Sequence, residues 1–67
     1  MKSLIKIFNI NTNEDISNIR EAIANNEGVI ACEVNINKKE VSVVYDDRSV
    51  SLDDILNSIE AKGYSPI

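Results

Sequence analysis

The chain has 67 residues, enough for a single small domain that buries only about 60% of the surface its unfolded form exposes. Hydrophobic residues make up 43%, which excludes a disordered chain. The 7 basic and 11 acidic residues leave a net charge of −4, which argues against holding nucleic acid or anionic lipid through bulk charge. Histidine is absent, so the usual general base, pH switch and commonest metal ligand are all missing. One cysteine cannot close an internal disulfide. "MKSLIKIFNI" is interrupted by Lys6 and Asn9 and does not read as a signal peptide, and no run of about 18 apolar residues follows. These features imply a cytoplasmic protein without membrane insertion.

Residues 4–10 read as a strand, with Ile5 and Ile7 on one side and Lys6 and Phe8 on the other. Ile16, Ile19 and Ile23 recur at helical spacing, and Gly28 after "ANNE" is the predicted stop. Cys32, Val34 and Ile36 alternate with Glu33 and Asn35 as a half-buried strand. "NKK" reads as a turn, and Val41, Val43 and Tyr45 form the next strand, so the pair should be an antiparallel hairpin. After "DDRS", Leu52, Ile55, Leu56 and Ile59 mark one face of a second helix that stops at Gly63. Residues 64–67 would close the fold as a short strand, with Pro66 tolerable only at a sheet edge. The order βαββαβ predicts an α+β, ferredoxin-like two-layer sandwich: an antiparallel sheet with two helices on one face, in one domain spanning 1–67.

Both helices start with a hydroxyl followed three residues later by an acid: Thr12 with Asp15, and Ser51 with Asp54. This is the capping-box pattern, in which the hydroxyl and the acid each accept a backbone N–H that the helix leaves unpaired. Val50 and Ile55 add a hydrophobic staple to the second start, whereas the first has Asn11 in that place.

Nearly the whole chain resembles the heavy-metal-associated domain family of copper chaperones and the N-terminal domains of metal-transporting ATPases. "DISNIREAI" is similar to the helix after the family's metal loop, "EGVIACEVNINKKEVSVVYDD" to its central hairpin, and "SVSLDDILNSIEAKGYSPI" to its last helix and strand. The family's loop carries Gly-Met-x-Cys-x-x-Cys. The resemblance places Asn9 at the glycine, Ile10 at the methionine, and Thr12 and Asp15 at the two cysteines. Every diagnostic position departs, and Ile10 keeps only the apolar character of a residue that supports the loop from beneath. Tyr64 matches an aromatic position near the metal in bacterial members. Two thiolates suit soft Cu(I), whereas a hydroxyl and a carboxylate do not.

The resemblance therefore implies a chaperone-like domain of a copper pathway with a degenerate loop, acting as a docking or structural module. No resident cofactor is expected, and Cu(I) or another heavy metal enters only if the family likeness outweighs the missing cysteines. The implied partner is a metal-transporting ATPase or a related domain, and the chain should be a monomer. Leu4, Phe8 and Val44 fall on the sheet face away from the helices and would form an apolar docking patch. A second reading keeps a metal site, held by oxygens of Thr12, Glu14 and Asp15 or by Cys32 across a dimer. Against it, Ca²⁺ wants about 6–8 oxygens and this loop offers about half that. Cys32 shares parity with Val34 and Ile36 and reads as a small core hydrophobe. The pairs Asp46-Asp47 and Asp53-Asp54 read as a solvated loop and a helix start, with a cation site as the sharper alternative. No catalytic constellation emerges, so the chain is not expected to be an enzyme.

Overall fold

The computed structural model describes residues 1–66. In chain order it contains β1 (Lys2–Lys6), α1 (Asn13–Ala24), β2 (Val29–Asn35), β3 (Glu40–Tyr45) and α2 (Leu52–Ala61). β3 lies between β1 and β2 and runs antiparallel to both. Alternation sends Ile5, Val41, Val43 and Tyr45 toward the helices, where they meet Ile19, Ile23, Ile55 and Ile59 in one core cluster. Most of these side chains are fully buried, and none of the described buried residues is polar or charged. This is the expected ferredoxin-like sandwich, with both helices on one face of the sheet.

Among the described residues the expected fourth strand is reduced to one bridge. Pro66 pairs with Ile7, while Ile67 lies outside the described residues. Two things limit it: Pro66 has no N–H to donate, and the Ser65 N–H turns to the distant Asn9 side chain at 2.9 Å instead of extending a ladder. β1 likewise stops at Lys6 rather than at residue 10, because Phe8 and Asn9 already turn.

Both helix starts carry the full capping box, with N–H to hydroxyl and N–H to carboxylate bonds at Thr12 and Asp15 and at Ser51 and Asp54. Val50 and Ile55 are both in the core, as a staple requires. Leu52, expected on the buried face of α2, is exposed; Val50 enters the core from before the cap. α2 ends as expected. Gly63 has φ +92°, its N–H bonds the Glu60 carbonyl, and the Tyr64 N–H bonds that of Ile59. α1 does not end on Gly28. The helix stops at Ala24, and the Asn26 amide donates to the Ala22 and Ile23 carbonyls. Gly28 serves a tertiary approach: its φ is +101°, and a Cβ there would stand 2.8 Å from the Ser49 Cβ. In β2 the register shifts between Val29 and Ala31, and Ile30 between them is exposed.

Candidate functional site

The end of β1, the start of α1, the β2–β3 turn and residues 63–65 meet at one end of the molecule. Ile10 is fully buried there, in the core cluster. Asn9 clamps the loop sideways, donating from Nδ2 to the Gly63 carbonyl (3.1 Å) and accepting the Ser65 N–H on Oδ1 (2.9 Å). Lys39 clamps it from the hairpin, with Nζ donating to the Phe8 carbonyl (3.4 Å) and to Asn11 Oδ1 (3.3 Å). Lys39 has φ +53°, the left-handed conformation that closes this turn.

Asp15 is the centre of the loop's bonding. Its Oδ2 accepts the N–H groups of Asn11 (2.9 Å) and Thr12 (3.1 Å), and its own N–H donates to Thr12 Oγ1 (3.1 Å). Its Oδ1 accepts the Tyr64 hydroxyl at 2.6 Å. The Asn18 amide in turn donates to the Tyr64 oxygen at 3.2 Å. The Tyr64 bond, followed by the backbone N–H of Asn11, holds the Asp15 carboxyl below its usual range. Burial first, then the bond to Asp15, pushes the Tyr64 phenol above its usual value of 10.0.

These shifts set the pH window of the lock. A depressed carboxyl contributes stability above its unfolded value of 3.8, which is lost as pH falls through the lower folded value. A raised phenol contributes stability below 10.0, which is lost as pH climbs through the higher folded value. Urea midpoints from pH 2 to 11 should therefore form a plateau between these limits. Asp15→Asn should flatten the acid limb and Tyr64→Phe the alkaline one. Unchanged limbs in both variants would show that the lock does not couple to folding.

The hydroxyl of Thr12 and both carboxylate oxygens of Asp15 are thus bonded within the protein. They are hard oxygen donors, a poor match for a soft ion such as Cu(I). Glu14 is exposed on the first turn of α1. Among the described residues no three acid or thiol side chains converge as a metal-holding group. Cys32 is half-buried on β2, opposite Val43, and packs against the core. One acid of each pair is already engaged: Asp46 accepts the Arg48 guanidinium at 3.1 Å and Asp54 caps α2, while Asp47 and Asp53 are exposed. The Arg48 contacts hold Asp46 below the usual carboxylate range.

Leu4 and Phe8 are exposed and Val44 is half-buried, but they do not make one patch. Val44 pairs with Lys2 at the start of β1, whereas Phe8 lies beyond the other end of that strand, in the turn after it. Lys2 and Lys6 flank Leu4 on the same face. Sequence reasoning missed the bonding of Asn9, Asn18 and Lys39. Their contacts span 28 to 56 residues of chain, and no short-range pattern signals them.

The sequence model of the heavy-metal-associated domain matches residues 6–65. The copper chaperone CopZ of Staphylococcus aureus (strain bovine RF122 / ET3-1) is 37% identical over 51 residues, which cover 76% of this chain and 75% of that protein. Among solved structures, a CopZ metallochaperone superposes with a TM-score of 0.97 at 27% identity, each chain covered in full. The N-terminal domain of a potential copper-translocating P-type ATPase from Bacillus subtilis, in its Cu(I)-loaded state, gives a TM-score of 0.92 at 23% identity, over 97% of this chain and 81% of that one. At that identity the second likeness speaks for the fold alone.

Proposed function

The chain belongs to the heavy-metal-associated domain family, and from that premise we propose that it is a non-enzymatic, chaperone-like domain whose loop no longer carries Cu(I) and whose task is docking within a copper-handling pathway. The observation that carries this reading is the occupation of the loop by its own bonds. Thr12 and Asp15 stand where the family places its thiolates, and their polar atoms close a capping box and bind Tyr64. Binding a cation there would mean breaking those bonds for ligands of the wrong softness.

The partner in this reading is a metal-transporting ATPase or a related domain, met in the cytoplasm by residues 1–67 acting as one monomeric domain. No helix of the described residues is long and apolar enough to cross a membrane. Titration of Cu(I) in the presence of a competing chelator tests the proposal. The metal should stay with the chelator at every protein concentration. Tight 1:1 uptake that persists in Cys32→Ser would overturn the reading, because the only thiol would then be excluded as the ligand.

A further inference from the structure

We infer that Phe8, together with Lys6, Lys38 and Lys39, forms a docking surface for a short acidic segment of a partner protein that carries an apolar residue. This deepens the docking reading above and names the chemistry of the partner, but it rests on charge layout and not on the metal loop.

Phe8 is 69% exposed and is the one aromatic side chain among the described residues that solvent reaches freely; Tyr45 and Tyr64 are buried. Its backbone is nevertheless fixed on three sides. The Ile7 N–H bonds the Lys39 carbonyl at 2.9 Å, the Phe8 N–H bonds the Ser65 carbonyl at 2.9 Å, and Lys39 Nζ reaches the Phe8 carbonyl at 3.4 Å. An aromatic ring presented from a rigid backbone costs little entropy to engage, which is the property of an interface anchor.

The ring borders an open recess of about 340 Å³ whose other walls are Lys6, Ile7, Asn37, Lys38 and Lys39, with no acidic residue among them. Lys6 reaches its nearest carboxylate, Glu40, only at 4.0 Å and stays 62% exposed. Lys38 makes no ion pair among the described residues. The charge around the fold is unevenly spread. α1 presents Glu14, Asp15 and Glu21 beside Arg20, and α2 presents Asp53, Asp54 and Glu60, while four of the 7 basic residues, Lys2, Lys6, Lys38 and Lys39, lie on the open sheet face and its hairpin; Glu33 and Glu40 share that face but stand outside the recess beside Phe8.

An acidic partner is therefore repelled by the helical layer and attracted at this one end, which fixes its orientation as well as its place. A long polyanion or a charged membrane would also meet the overall charge of −4, whereas a short segment meets only the local lysines. The open recess and the single aromatic suit one apolar side chain flanked by carboxylates.

The test is a titration of the uniformly ¹⁵N-labelled full chain with the acidic pentapeptide DELED, followed by amide shifts. Shifts should concentrate at residues 6–8 and 37–39 and fade with added salt. Binding should weaken about tenfold or more in F8A and in the K6Q/K38Q double variant. Both variants alter exposed side chains, so their melting temperatures should match the parent, and Lys39 is left intact because it holds the loop. Shifts spread over the whole surface, equal shifts from the basic peptide KKLKK, or affinity unchanged in both variants would overturn the inference. Tighter binding to phosphatidylglycerol vesicles or to an oligonucleotide than to DELED would do so as well. No copper is present in this titration, so its failure and a failure of the Cu(I) reading are separate results.

Discussion

On the reading proposed above, replacing Thr12 and Asp15 together by cysteine is expected to turn the chain from one that leaves Cu(I) with a competing chelator into one that takes it up 1:1. The scaffold for such a site remains. Ile10 is buried in the core, the turn into α1 is built, and the backbone superposes on a CopZ metallochaperone with a TM-score of 0.97. What is lacking is a pair of soft donors, and two thiolates at this spacing supply them. The helix start also helps, because its positive end lowers a thiol's pKa and favours the thiolate.

The exchange has a cost in stability. Loss of the Thr12 cap removes about 1 kcal/mol, which in a domain of this size lowers the melting temperature by about 4–8 °C. The Tyr64 hydroxyl also loses its carboxylate acceptor. The apo double variant should therefore melt below the parent, and Cu(I) should restore or exceed the parental value. Chelator competition and thermal melts of apo and loaded protein measure both parts. A folded double variant that still leaves all Cu(I) with the chelator would mean that more than the two ligands was lost, and Asn9 in place of glycine would be the next position to exchange.

The second large effect concerns the core. Ile19→Ala should cost about 2–5 kcal/mol, the range for removing a large buried aliphatic side chain with partial collapse of the cavity. Ile19 is fully buried on α1, one turn beyond Asp15, and packs with Ile23, Ile55 and Ile59. At about 0.05–0.15 kcal/mol per residue, a chain this short has roughly 3–10 kcal/mol in total. The substitution is thus expected to remove a large share of the total, on the order of half. Ile30→Ala is the matching control: the same side chain is 71% exposed at the bulge of β2, and its loss should change stability by about 0.5 kcal/mol or less. Urea denaturation followed by circular dichroism distinguishes the two. Equal effects would show that the burial described for α1 is wrong.

The residues that could be read in advance were those whose neighbours along the chain explain them. Ile19, Ile23, Ile55 and Ile59 announce their helix faces by spacing, and Val41, Val43 and Tyr45 announce theirs by alternation. The capping boxes lie within four residues. Errors came where a local signal was borrowed for a distant purpose. Gly28 looked like a helix stop but allows Ser49 to approach, and of the strand expected over residues 64–67 the described residues form one bridge at Pro66, the Ser65 N–H going to Asn9. Parity places Phe8 and Val44 on one face, yet Val44 pairs with Lys2 at the start of β1 while Phe8 lies beyond the strand's end, in a turn.

The sequence by itself determined the two helices, the hairpin, the side of each strand that enters the core and the chemical softness of the loop, because all of these follow from residue type and short-range periodicity. The tertiary structure alone decided what the loop's polar atoms do. Tyr64 reaches Asp15 across 49 residues, Ser65 reaches Asn9 across 56, and Lys39 reaches Phe8 across 31. Such bonds need β1, the hairpin and the chain after α2 to be brought to one end of the sheet. That meeting is a result of packing the whole core, and no stretch of the chain carries it alone.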